Sequence, residues 1–225
     1  LNGGAGDDII NGGAGDDRVY ASPGVDQEDG GDGVDTFVIS EEEHPDSTLI
    51  QVLSEGNVIT VDLLKETAYI YGTEPTYTNS IKNFENVEIN FSIGSFYVIG
   101  DDGGNIIKGG DGDDILEGRV GDDTLDGGAG NDVLTGGAGN DSLTGNAGND
   151  RFNVDAGTDT VTDLATGDDL VVSSGATANA TNVSAFVADS DTTNAGTATL
   201  TAASGGSTIT MTNSASGAYA LTGGA

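Results

Sequence analysis

Cysteine and tryptophan are absent from the 225 residues, and there are only three prolines, one histidine and six basic residues. Without cysteine no disulfide framework can form, though that alone does not fix the compartment. A single histidine cannot build the HExxH helix of a zinc protease. The GxSxG elbow of a serine hydrolase is missing too. No run of 18 apolar residues exists to cross a membrane as a helix, and the N-terminus shows no signal-peptide pattern. The few bases face 38 acids and leave a formal charge of -32. A chain so acidic repels nucleic acid and anionic membrane surfaces, and it attracts cations. No catalytic constellation is evident, and an enzyme is not expected.

What is abundant is glycine, 38 residues of it, and it falls on a beat. Nine-residue units run GGAGDDIIN, GGAGDDRVY, ASPGVDQED and GGDGVDTFV over residues 3–38. They resume over residues 100–162 as GDDGGNIIK, GGDGDDILE, GRVGDDTLD, GGAGNDVLT, GGAGNDSLT, GNAGNDRFN and VDAGTDTVT. DLATGDDLV follows, with its glycine and acids slipped by one. In the eleven regular units the fourth place is always glycine. The sixth is aspartate except at Asn105, and the eighth is apolar except at Glu28. Such regularity argues against the disordered acidic tail that composition alone would suggest.

Glycines at places one, two and four are expected to take positive φ and turn the chain tightly. Places seven to nine suit a three-residue strand whose eighth side chain points inward and whose neighbours point out. Turn plus strand makes half a coil, so a coil takes eighteen residues and stacked coils build two narrow parallel sheets. The expected fold is all-β. Its inward column in the second block is Ile107, Leu116, Leu125, Leu134, Leu143, Phe152, Val161 and Leu170. That core is thin against roughly 1–2 kcal/mol of backbone entropy per ordered residue, and the acids repel one another. Carboxylates and backbone carbonyls are hard oxygen donors, of which a calcium ion takes about six to eight. The acids at place five, such as Asp7, Asp16, Asp113 and Asp122, alternate with asparagine. They are expected to face solvent as turn formers that tolerate left-handed backbone.

The GGxGxDxUx pattern over residues 1–38 and 100–171 resembles the RTX (repeat-in-toxin, hemolysin-type) calcium-binding nonapeptide-repeat family. The resemblance implies a parallel β-roll in both blocks, with each calcium between two turns on one edge, eighteen residues apart. In the first block it pairs Asp8 with Asp26 and Asp17 with Asp35. In the second it places Asn105, Asp123, Asp141 and Asp159 on one edge. The other edge carries Asp114, Asp132, Asp150 and either Asp168 or Asp169. Turn carbonyls complete each shell, for about eight ions at most. Ala21, Ser22, Pro23 and Glu28 depart from the pattern and are expected to weaken the first block. Asn105 supplies no charge to the first site of the second.

Residues 39–99 break the beat. The stretches 58–61, 68–71 and 87–93 read as strands, expected to continue the stack or pack upon it. The aromatic residues here fill a core or, alternatively, form a sugar-binding face. Glu41, Glu42 and Glu43 read as a solvated loop, with His44 at the surface. Residues 172–225, rich in Ala, Thr and Ser with only Asp189 and Asp191 charged, read as a further β segment with strands at TATLTA, STITMT and AYALT. Both chain ends fall inside apparent repeats, so the sequence reads as a stretch of something longer. The resemblance implies export to a calcium-rich exterior by type I secretion, and a bacterial cell surface. Two roles are expected. One is a calcium-rigidified structural segment of a surface layer, adhesin or filament that associates with copies of itself. The other is the accessory region of a secreted RTX protease, lipase or polysaccharide epimerase.

Overall fold

The computed structural model describes residues 1–21, 25–40, 58–62, 67–70, 77–82, 84–90, 92, 94–184, 186–188, 193–202, 210–211 and 218–222. Strands follow the nine-residue beat wherever it exists. The first block holds β1 (Ile9–Asn11), β2 (Arg18–Tyr20), β3 (Gln27–Asp29) and β4 (Thr36–Ser40). Next come β5 (Val58–Asp62), β6 (Thr67–Ile70), β7 (Tyr77–Lys82), β8 (Asn86–Asn90) and β9 (Ser95–Ile99). The second block holds β10 (Ile106–Asp111), β11 (Ile115–Val120), β12 (Thr124–Ala129), β13 (Val133–Gly139), β14 (Ser142–Ala147), β15 (Arg151–Val154), β16 (Ala156–Val161) and β17 (Asp169–Val172). Then follow β18 (Thr177–Val183), β19 (Val187–Ala188), β20 (Thr193–Asn194), β21 (Thr197–Ala202), β22 (Thr210–Met211) and β23 (Ala218–Thr222). There is no helix among the described residues.

In the two repeat blocks consecutive strands go to opposite faces. One sheet runs β2–β4–β8–β10–β12–β14–β16–β18–β21–β23, with every pairing parallel. The other runs β1–β3–β7–β6–β5–β9–β11–β13–β15–β17–β20, parallel but for the two steps through β6. Strand β16 bends between them. Its Ala156 and Gly157 lie beside β13, while Thr160 and Val161 lie beside β14. Strands β19 and β22 form a separate parallel pair. The architecture is a parallel β-solenoid, and its register is the eighteen-residue coil: Leu125 sits over Ile107 and Leu143 over Leu125.

The stack does not stop where the beat stops. Strand β4 is followed in its sheet by β8, with Thr36 beside Asn86, a jump of 50 residues. Strand β8 then passes to β10, with Asn86 beside Ile106. Between these, β5, β6 and β7 form an antiparallel meander that fills the second sheet between β3 and β9. Beyond the second block the coil lengthens. Thr158 pairs with Thr177, Thr177 with Thr197 and Thr197 with Ala218, steps of 19, 20 and 21 residues. The GGxGxD pattern is missing from the sequence of that segment, and each coil takes more residues to come round.

All eight expected core residues from Ile107 to Leu170 are fully buried. The column continues through Val19 and Phe37 on one side and through Ala178, Ala180, Ala198 and Leu200 on the other. Glu28 occupies its core place at 1% exposure. Phe84 and Phe96 are buried as well, Phe84 lying against Phe37 with ring centroids 5.5 Å apart. These rings fill core rather than a sugar face, while the side chains of Tyr69, Tyr71 and Tyr77 lie outside the described residues. So do Glu41, Glu42, Glu43 and His44, and the start of STITMT. TATLTA and AYALT are β21 and β23. One expectation is corrected. Strands are three residues long in most of the first block but six or seven in most of the second. There the ladder continues past the core place into the turn, pairing Gly110 with Gly128 and Asp111 with Ala129.

Candidate metal columns on the two edges

The turns that join the sheets are built by glycine for two separate reasons. In the unit of residues 127–135, Gly128 has φ 105° and Gly130 has φ 138°, a backbone that a Cβ resists. Among the described residues only Arg119 and Asn146, both at place two, hold positive φ without being glycine. Place one is different, and here the expectation of positive φ is corrected. Gly127 lacks positive φ, but a Cβ on it would collide with Asp132 Oδ2. One on Gly109 would collide with Asp114 Oδ2 and stand 2.7 Å from the carbonyl oxygen of Gly127, one coil on. The first glycine makes room for a carboxylate. Gly127→Ala is therefore expected to raise the calcium midpoint of the second block several-fold, from an overpacking cost of about 1–3 kcal/mol. A calcium titration followed by circular dichroism checks it.

The sixth-place side chains form two columns. Each backbone N–H at place six donates to the carboxylate of place six one coil later. Asp8 donates to Asp26 Oδ1 at 2.9 Å and Asp17 to Asp35 Oδ1 at 2.8 Å. On one edge of the second block Asn105 donates to Asp123, Asp123 to Asp141 and Asp141 to Asp159, at 2.7, 2.9 and 3.1 Å. On the other Asp114 donates to Asp132, Asp132 to Asp150 and Asp150 to Asp168, at 2.8, 2.9 and 3.0 Å. The structure thus brings together the pairs that the family resemblance implied. Asp169 stands apart, on β17, with an oxygen 3.7 Å from Arg151. Asp168 is the member in the column, but its second oxygen already accepts the Ala165 N–H at 2.7 Å.

In seven other members of the columns the second oxygen has no such donor. Oδ2 of Asp8, Asp35, Asp114, Asp123, Asp132, Asp141 and Asp159 is buried without a hydrogen-bond partner. Burial pushes the carboxyls of Asp114, Asp123, Asp132, Asp141 and Asp159 up, against the pull of the backbone N–H each accepts. Asp114 is raised to about 8, with Asp132 adding like charge. Asp132 and Asp159 are raised to about 7, and Asp123 and Asp168 to about 6. Asp141 and Asp150 move the same way from the same cause. A buried carboxylate oxygen with no donor calls for a proton or a cation. Among the described residues no three of His, Cys, Asp and Glu converge. A cation here would take one or two carboxylates and otherwise carbonyl oxygens. That donor set fits calcium, and it lacks the nitrogen and sulfur ligands zinc prefers.

Two positions vary the pattern. Asn105 accepts the Asp101 N–H at 3.0 Å, and its amide nitrogen donates to Glu85 O at 2.7 Å and to Asp101 Oδ1 at 3.1 Å. Its own NH2 stands among the oxygens. Glu85, which the repeat spacing does not reveal, accepts the Asp35 N–H through Oε2 at 2.7 Å. The one sequence signal for it is an acid immediately ahead of the alternating strand NVEIN.

Place five is exposed, as expected, but for a different reason than backbone handedness. None of Asp7, Asp16, Asp113, Asp122, Asn131 or Asn140 has positive φ. Their side-chain oxygens instead accept the backbone N–H of place five in the next coil. Asp113 takes that of Asn131 at 2.7 Å, Asp122 that of Asn140 at 2.8 Å and Asn131 that of Asn149 at 2.9 Å. Aspartate and asparagine interchange because either supplies the oxygen.

The family model of the RTX calcium-binding nonapeptide repeat, in four copies, matches residues 1–28, 99–134 and 127–161. No curated protein matches the chain. Over residues 1–28 and 99–161, less than half of its length, the chain is thus similar to RTX calcium-binding nonapeptide repeats.

Proposed function

We propose that the chain is a calcium-rigidified structural segment of a large secreted or cell-surface protein. The observation that carries the calcium part is the row of buried, donorless Oδ2 atoms along both edges. Asp8 with Asp26 and Asp17 with Asp35 serve the first block, residues 1–38. Asn105, Asp123, Asp141 and Asp159 serve one edge of the second, residues 100–171. Asp114, Asp132, Asp150 and Asp168 serve the other, for about eight ions at most, with turn carbonyls completing each shell. Asp168 closes its column weakly, because Ala165 already holds its second oxygen. Asp169, paired with Arg151, is outside the set. Bound ions offset the mutual repulsion of the acids, so binding free energy becomes folding free energy.

Residues 39–99 are a β insert, and 172–225 are an Ala/Thr/Ser-rich segment that can approach a neighbour without like-charge repulsion. That near-neutral stretch, carried in the same ladder as the acidic coils, supports self-association in an extracellular layer, adhesin or filament. The test is to purify the full-length protein in calcium and image it. Ordered sheets or filaments that dissolve in chelator are expected. Monodisperse monomers at high concentration, with hydrolase activity elsewhere in the chain, would assign it instead as the accessory region of an RTX exoenzyme.

A further inference from the structure

Glu85 stands in its coil where aspartate stands in the regular ones. It immediately precedes β8, as Asp35 precedes β4 and Asp123 precedes β12. Asn86 N–H donates to Asp35 O at 3.1 Å, matching Thr36 N–H to Asp17 O at 2.9 Å one coil earlier. The Asp35 N–H donates to Glu85 Oε2 at 2.7 Å, matching Asp17 N–H to Asp35 Oδ1 at 2.8 Å. The extra methylene of glutamate reaches the same donor from a coil that arrives 50 residues later.

Asp35 is the other half of the argument. It is fully buried. Its Oδ1 is turned back to Asp17 of the preceding coil, and its Oδ2 has no hydrogen-bond partner. A buried carboxylate oxygen without a donor is strongly unfavourable unless a proton or a cation meets it. On the far side of Glu85, its backbone carbonyl accepts the amide NH2 of Asn105 at 2.7 Å.

We propose that Asp35 and Glu85 hold a divalent cation between them, at a site formed only when the coil that begins at β8 returns onto β4. The site splices the two repeat blocks, because Asp35 is shared with the Asp17 pair on one side and Glu85 touches Asn105 on the other. Nothing in the nine-residue spacing contains it. The inference rests on the calcium reading of the columns.

Native mass spectrometry of the full chain in a calcium titration tests it, with wild type, Glu85→Gln and Glu85→Asp. Glutamine keeps an oxygen for the Asp35 N–H but removes the charge. The expected result is one ion fewer at saturation in Glu85→Gln and an unchanged count in Glu85→Asp. An unchanged count in Glu85→Gln overturns the proposal. A loss in both variants, folded or not, overturns it too, since the reach of the side chain and not its charge would then matter. Asp132→Asn serves as control. If wild type and control both bind no calcium, the underlying reading of the columns has failed. If they differ and Glu85→Gln matches wild type, only the splice has failed.

Discussion

In excess chelator at neutral pH the chain is expected to lose most of its β-structure, and to regain it in millimolar calcium. The driving imbalance is large. Thirty-eight acids face six bases, and at least seven carboxylate oxygens are buried without a donor. The apolar column cannot compensate, because one buried aliphatic side chain contributes roughly 1.5–3 kcal/mol while each residue of its unit costs about 1–2 kcal/mol in backbone entropy. Acid should rescue the metal-free chain. Asp114, Asp132, Asp159, Asp123 and Asp168 have folded values of about 6 to about 8 against an ordinary 3.8. A raised folded value means that folding takes up protons. The stabilisation is complete below about pH 4 and is lost as pH rises through 6 to 8. With chelator present, circular dichroism should therefore show more structure at pH 4 than at pH 8. With calcium present the order reverses, because protons compete for the same oxygens. Equal spectra with and without confirmed metal removal at pH 8 would contradict both halves.

Asp132→Asn and Asp122→Asn should differ by far more than their exposure suggests. Both acids lie in consecutive turns of the second block. Asp132 is buried, shares its two neighbours Asp114 and Asp150, and carries a donorless Oδ2. Its loss removes charge from two cation positions at once, so calcium stoichiometry and cooperativity should fall together. Asp122 is exposed and supplies one oxygen to the Asn140 N–H. Asparagine at Asn131 and Asn140 already does the same work, so Asp122→Asn should leave both quantities unchanged. Asp122→Ala deletes that bond and the one from the Asn140 side-chain amide, and should cost about 0.5–1.5 kcal/mol for each. Equal losses in isothermal titration of Asp132→Asn and Asp122→Asn would show that the wrong acid has been assigned.

The core and the pairing of turns were legible because the beat is rigid. A period of nine forces Ile107 to Leu170 into one inward column, and doubling it pairs Asp114 with Asp132 and Asp132 with Asp150. What escaped was whatever the beat does not count. Glu85 is a different residue type at an interval of 50, so no repeat count finds it, and only the ladder between β4 and β8 does. The need for Gly127 arises from a side chain five residues on, not from its own φ. The oxygen role of Asp122 and Asn131 depends on a donor in another coil. Strand length in the second block is set by neighbours above and below, which a single unit does not show. In residues 172–225 the short strands at TATLTA and AYALT were readable from their residue types and spacing, but no repeat signature in the sequence gives their coil of 19 to 21 residues.

The jump from β4 to β8 also gives the stack an uneven reserve of length. Pulled along its axis, an ordinary coil that opens frees eighteen residues, about 60 Å of extended chain. The step between β4 and β8 advances the ladder by one strand but contains 50 residues, about 170 Å when drawn out. The meander of β5, β6 and β7 is thus slack stored beside the stack, locked between β3 and β9. Under tension the stack would yield by short increments through its regular coils and by one long increment at this joint.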